Sequence, residues 1–208
     1  MTGHHGLFIA FEGGDGAGKS TQVRLLADAL RLLGRTVSVT RQPGGTDLGQ
    51  SIRDLVLHGE HVSPRAEALL FAADKAHHVD VFVRPALDRG EVVVTDRYTD
   101  SAVAYQGAGR DLGAVEVHDL QMWAVDGLTP HLTVVVDISA QEGRRRRGDV
   151  HDRLESEGDP FHDSIRAHFL AVAAGNPGRY LVVDGAAGPE EAHDLVMHRL
   201  ETMGVLAP

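Results

Sequence analysis

The chain has no cysteine, almost no lysine, few aromatic residues and no apolar run long enough to span a bilayer. Zero cysteines exclude disulfides and thiolate metal sites, and make the cytoplasm the expected compartment. The opening "MTGHHGLFIAFEGG" has no basic stretch before its short apolar run, so neither a signal peptide nor a membrane anchor is expected. Positive charge is also scarce, with a formal net charge of −10. Broad binding to nucleic acid or to an anionic membrane is therefore not expected. Of 20 basic residues only Lys19 and Lys75 are lysine. A coding bias towards arginine accounts for that ratio and singles out the two lysines.

What is present is order. Five short, β-branched runs recur: "LFIAF" (7–11), "TVSVT" (36–40), "EVVVTD" (91–96), "LTVVVDI" (132–138) and "YLVVDG" (180–185). Continuous apolar runs of this length suit strands buried on both faces of a parallel sheet. Helical spacing fills the gaps, as in "STQVRLLADALRLLG" (20–34) with its terminal glycine, and Ser63-Pro64 opens a helix as cap and first residue. Ser139 and Glu142 have the spacing of a capping box. Strand and helix alternate throughout, so the expected fold is α/β, a doubly wound five-stranded parallel sheet with helices on both faces. Without linker or repeat, residues 1–208 read as one domain.

The sharpest signal is "LFIAFEGGDGAGKST". Gly13, Gly18, Lys19 and Ser20 form G-x-x-x-x-G-K-[ST], placed after a strand and at the start of a helix. In such a phosphate loop the backbone of Gly13, Gly14, Asp15, Gly16, Ala17 and Gly18, with Lys19, Ser20 and Thr21, cradles phosphates at a helix N-terminus. Lysine reaches the terminal phosphates and the serine hydroxyl serves Mg²⁺. A nucleoside triphosphate is the expected ligand. A guanine-reading N-K-x-D or T-K-x-D is absent, since Lys75 sits in "ADKAH"; a multidomain motor does not fit in 208 residues. A kinase for a small molecule remains.

Two further loops follow strands, at the end of the sheet where ligands bind in such folds. "TDRYTDS" places Asp96 to support the metal and Arg97 to fork onto a phosphate, or the two to pair with each other. "TRQPGGT" gives a rigid loop around Pro43 with little side chain. Then comes "GRRRRGDVHDRLE", five arginines in thirteen positions of an acidic chain. At about 100° per residue Arg144 and Arg147 share a helix face. A solvated helix end, a nucleic-acid patch and a phosphate clamp are all possible readings of this run. The 13 histidines show no metal spacing and read as mostly surface residues.

The ordered set "FEGGDGAGKST", "TRQPGGT", "LLFAADKAHH", "DRYTDSAVAYQG" and "DRLE" resembles the bacterial thymidylate kinase family, from about residue 7 to 200. The resemblance implies a nucleoside monophosphate kinase fold and transfer from ATP to dTMP. It implies that Arg53 and Arg97 meet the acceptor phosphate, Phe71 stacks on the base, Gln106 and Lys75 lie at the base, and Tyr105 beside the sugar. Ser101 and Asp15 join this site, Asp15 facing the sugar and the metal region. The family usually has glutamate at Gln42 and arginine at Lys75, which opens a kinase for dUMP or dCMP as an alternative. Some members carry arginine at Gly16; here the cation is expected from a lid at about 143–158, at Arg147 and Arg153, with Arg144 next. The turn near Gly185 and Ala186 is the candidate adenine contact. The family is typically dimeric, through helices near 63–82 and 113–126. An ATP-binding module without catalysis is the contrasting class.

Overall fold

The computed structural model describes residues 6–147 and 153–206. All five strands are parallel and lie in one sheet, in the order β2-β3-β1-β4-β5: β1 (Leu7–Glu12), β2 (Val37–Arg41), β3 (Val92–Asp96), β4 (Leu132–Asp137) and β5 (Tyr180–Asp184). The three inner strands are buried almost throughout. The expectation of burial on both faces does not hold for β2 and β5. They are the sheet edges, each alternating with exposed positions.

Period two divides β1 between two cores. Leu7, Ile9 and Phe11 pack with α1 (Lys19–Leu32) and α9 (Pro189–Thr202); Phe8 and Ala10 meet Val79, Val83 and Tyr98 on the other face. The remaining helices are α2 (Asp47–His58), α3 (Pro64–His78), α4 (Arg84–Asp88), α5 (Thr99–Ala102), α6 (Ala114–Ala124), α7 (Ala140–Arg147) and α8 (Asp159–Gly175). π-helical turns at Val79–Val83 and Val103–Gly109 extend α3 and α5. Pro64 opens α3 as expected, with Ser63 extended before it. Ser139 receives the Glu142 amide at 3.2 Å, half of a capping box, because the Glu142 carboxylate turns to Arg145 and Arg146 instead.

The register positions the site. Phe11 pairs with Asp96, and Asp96 with Arg41. The carboxyl ends of β1, β3 and β2 therefore finish in one row, and the loops that follow them open side by side. Since β3 lies between β1 and β2, the chain reverses its winding there, which makes the crevice in which open α/β sheets bind ligands.

Candidate functional site

The loop Gly13–Gly18 turns because Gly13, Gly16 and Gly18 all have positive φ. At Gly13 a Cβ would lie 2.3 Å from the Val136 carbonyl oxygen, and at Gly16 2.5 Å from that of Gly143. α1 starts at Lys19 with no acidic residue in its first turn, so its dipole end is open to an anion. Lys19 is buried and donates to the Gly14 carbonyl at 2.7 Å. Burial and then Arg97 push its pKa down, against Asp15, Asp96 and Glu12. Ser20 Oγ donates to Asp96 Oδ2 at 2.6 Å.

Beside the loop, Arg97 takes the left-handed backbone region, φ 68, at the turn after β3. Its guanidinium donates to the Gly13 carbonyl (3.1 Å), Ser101 Oγ (2.9 Å), Tyr105 Oη (3.0 Å) and the Asp15 carboxylate. Tyr105 Oη donates to the other oxygen of Asp15 at 2.6 Å, and Arg147 lies 4.0 Å from the same atom. Burial alone would raise the Asp15 pKa. Arg97, Lys19, the Tyr105 hydrogen bond and Arg147 together hold it well below the carboxylate range. Asp15 is thus an anion at neutral pH with cations on three sides.

Beyond Arg97 lies a cleft of about 570 Å³. Phe71, Lys75, Gln106 and Gln42 line it, all at least nine-tenths buried, together with Pro43 and Arg53. Ser101, Tyr105, Arg97 and Asp15 reach the same cleft. Lys75 Nζ sits 5.5 Å from the Phe71 ring centre and donates only weakly to its carbonyl, at 3.4 Å. Burial lowers its pKa to about 8. Gln42 Nε2 meets His78 Nδ1 at 2.7 Å, and burial holds His78 neutral with a pKa of about 4. A glutamate at 42 would face that neutral ring. The glutamine gives it an amide proton.

The arginine run divides by partner. Arg147 turns inward, nearly buried, and its Nε has no hydrogen-bond partner among the described residues. Arg146 donates to Glu142 and to the Gly185 carbonyl (2.8 Å), lining a second cleft with Gly16, Gly18 and Thr21. Arg145 forks onto Glu142, and Arg144 pairs with Asp159. Thus Arg144 and Arg147 do not share a target despite their spacing. Arg153 is not brought to the phosphate loop; it donates to Glu67 and to the Val56 carbonyl (2.9 Å). Of the expected lid, residues 148–152 lie outside the described residues, as do His4 and His5. His78 and His162 depart from the surface expectation: both are buried.

Sequence reasoning missed four residues here. Arg146 is not among the arginines expected at the phosphates, yet it lines the cleft beside the loop. Gly143 gives α7 its close approach to the loop, since a Cβ there would lie 2.6 Å from the Asp15 carbonyl oxygen. Glu12 is fully buried at the end of β1 and accepts from Tyr98 N (2.8 Å), Ser101 N (3.1 Å) and Ser101 Oγ (2.5 Å). Glu67, also fully buried, accepts from Gln106 and Arg153. A lone charge inside "LFIAFE" was the available signal for Glu12.

For metal, no group of three or more His, Cys, Asp or Glu among the described residues could hold an ion. The neighbouring oxygens of Ser20 and Asp96 instead suit a hard cation that keeps water and phosphate ligands.

A family model described as Thymidylate kinase matches residues 11–196. The chain is 55% identical to a thymidylate kinase of Leifsonia xyli subsp. xyli, over 96% of this chain and 97% of that one. It is 50% identical to that of Bifidobacterium longum strain NCC 2705, covering 89% and 93%. Among solved structures, thymidylate kinase from Ehrlichia chaffeensis superposes with a TM-score of 0.79 at 30% identity, covering 94% of this chain and 98% of that one.

Two predictions follow from this geometry. Burial, reinforced by Asp100, pushes the Glu12 carboxyl from about 4.5 up to about 7, against Arg97 and the bonds from Ser101 and Tyr98. The folded chain holds that proton more tightly than the unfolded one. This stabilisation is complete below about 4.5 and is lost as pH rises through about 7. Urea midpoints at pH 5 and pH 8 will therefore differ more in the wild type than in Glu12→Gln, by at most on the order of 3 kcal/mol; parallel pH profiles would refute the assignment. Separately, Gly143→Ala pushes α7 off the phosphate loop. Turnover should fall roughly tenfold or more with an unchanged thermal midpoint, while unaltered turnover would show that α7 need not touch the loop.

Proposed function

The chain belongs to the thymidylate kinase family, and on that premise we propose how its own residues carry a phosphoryl group from ATP to dTMP, giving dTDP. The observation that carries the reading is Asp15, a member of the phosphate loop that also lines the acceptor cleft and gathers Arg97, Tyr105 and Arg147 where the two meet.

The triphosphate rests on the amides of Gly13–Thr21 and on Lys19, with the cleft between Thr21 and Gly185 supporting an adenine contact at the turn after β5. Mg²⁺ would be held by Ser20 and Asp96, and when bound it neutralises phosphate charge. Arg97 is pre-organised by four partners that take up the N–H groups of both terminal nitrogens, so it faces the dTMP phosphate as a positioned charge, and a fork onto that phosphate exchanges some of these bonds for phosphate oxygens. Arg53 stands on the far wall of the cleft as a second cation. Phe71 offers its face to the thymine, Lys75 and Gln106 meet the polar edge, and Tyr105 packs at the deoxyribose. The acceptor is already an anion, so no general base is assigned. Charge on the transferring group falls to Arg147, the nearly buried cation at the loop, with Arg146 at the donor side. Arg144 is engaged at Asp159, and Arg153 supports the acceptor wall through Glu67.

The five strands in one sheet support a single domain, and the absence of cysteine supports a cytoplasmic setting. None of the helices among the described residues is long and apolar enough to cross a membrane. A homodimer is supported by α3 and α6, which pack on one another and leave Leu69, Val115 and Trp123 exposed.

A coupled ADP-release assay with ATP, Mg²⁺ and a panel of dTMP, dUMP, dCMP, dGMP and UMP tests the reading. Turnover with dTMP is expected to exceed the others, and Arg147→Ala to lower kcat roughly 10²-fold or more with little change in either KM. Preference for another monophosphate would overturn the acceptor assignment. ATP binding without turnover would favour a regulatory module. By light scattering the chain should run as a dimer and Trp123→Arg as a monomer; a monomeric wild type at micromolar concentration would refute the interface.

A further inference from the structure

One face of α3 carries Glu67, Phe71 and Lys75 at successive fourth positions. The last two line the acceptor cleft, whereas Glu67 lies behind it, with no exposed surface. A carboxylate there needs partners, and it has them from two other segments. Gln106, on the π turn after α5, donates Nε2 to Glu67 Oε1 at 2.8 Å. Arg110, at the end of the same turn, stands 3.6 Å from that oxygen. Arg153 donates to Oε2.

This arrangement settles the orientation of an amide. A carboxylate only accepts, so Gln106 must present its NH₂ to Glu67. Its carbonyl oxygen is then the end left for the cleft, which Gln106 lines beside the Lys75 ammonium. An acceptor next to a donor complements the N3–H and O4 of a pyrimidine-2,4-dione. Cytosine presents a bare N3 and an amino group at those positions, so it meets like against like twice.

Resting on the dTMP reading above, we propose that Glu67 is a positioning residue that sets base selectivity without touching the base, by fixing the Gln106 amide with its carbonyl towards the acceptor cleft. Arg153, in the segment that returns from the arginine run, anchors Glu67 and so ties that segment to the base pocket.

The test is calorimetric binding of dTMP, dCMP and ATP to the wild type, Glu67→Gln and Glu67→Asp, alongside kcat and KM for dTMP. Glutamine at 67 has one acceptor for two donors, so either Arg153 or the Gln106 orientation is lost. Binding of dTMP to E67Q should weaken about tenfold or more, and the dTMP-to-dCMP affinity ratio should fall by a similar factor. ATP affinity should not move. General loosening would weaken both nucleotides alike and leave the ratio intact, and that result overturns the proposal. E67D keeps the charge and withdraws the acceptor by one methylene. It should give an intermediate ratio, and it decides the matter if E67Q does not fold; a wild-type ratio in E67D overturns the proposal equally. A wild type that does not phosphorylate dTMP refutes the function reading itself. A wild type that does, with a ratio unmoved by substitution, refutes only the part assigned to Glu67.

Discussion

The ion pair of Arg97 with Asp15 fixes the distance between the two ends of the reaction, and much of the surrounding structure exists to sustain it. Neither partner is cheap to bury. A desolvated guanidinium or carboxylate destabilises the fold by several kcal/mol unless its hydrogen bonds are filled. Arg97 fills them from the phosphate loop, from Ser101 and from Tyr105, and Tyr105 closes the ring back to Asp15. The positive φ of Arg97 adds strain of about 1–3 kcal/mol, which the adjoining bonds offset. Arg97 N donates to the Phe11 carbonyl at 2.8 Å and Thr95 Oγ1 to the Arg97 carbonyl at 2.9 Å. The first of these bonds continues the β1–β3 ladder, and the second braces the turn from within its own strand. The sheet therefore sets the backbone, the backbone aims the guanidinium, and the guanidinium holds Asp15 ionised.

Two further buried carboxylates act one layer behind the ligand surface. Glu12 takes two amides and a hydroxyl at the start of α5, and the same Ser101 hydroxyl receives Arg97. Glu67 receives Gln106 and Arg153 on the opposite side of the acceptor cleft. In each case a choice is removed: Arg97 can only donate to Ser101, so the Ser101 proton goes to Glu12, and Glu67 accepts from Gln106, so the NH₂ of Gln106 turns away from the cleft. Carboxyl groups placed behind the site thus orient neutral groups within it. A glutamine or a serine alone leaves two orientations of similar energy.

The sheet and the phosphate loop were legible because each depends on local pattern. Inner strands announce themselves as short β-branched runs, and the observed limits fall within a residue or two of those expected. The loop needs glycines where φ is positive, and Gly13, Gly16 and Gly18 stand there. Edge strands were harder, because apolar content does not reveal which strand lacks a neighbour. The arginines were least legible. Helical spacing gives a direction for each side chain but not what stands opposite. Arg153 meets Glu67, which is 86 residues away in sequence, in a stretch, "RAEALLFAADK", that looks like an ordinary amphipathic helix. Arg146 could be placed only once the turn at Gly185 was beside it.

The contact of Gly16 with Gly143 explains why an acidic chain concentrates its arginines on α7. Gly16 has φ 81 and no room for a side chain, so a cation at that point of the loop would be strained and would clash with the α7 backbone. The charge must then arrive from outside the loop, and a glycine on α7 allows the helix to approach closely enough to deliver it. Four adjacent cations repel one another. They are tolerated because they occupy the last turn of a helix, where the dipole favours positive charge, and because Glu142, Asp159 and Asp15 lie within reach. These carboxylates also set the order of engagement. Arg144 and Arg145 are held by Asp159 and Glu142, whereas among the described residues Arg147 has no partner for its Nε and approaches Asp15, which Arg97 already neutralises, at 4.0 Å. Among the described residues Arg147 is thus the arginine of α7 with the fewest charged partners to give up, which is what the role proposed for it requires.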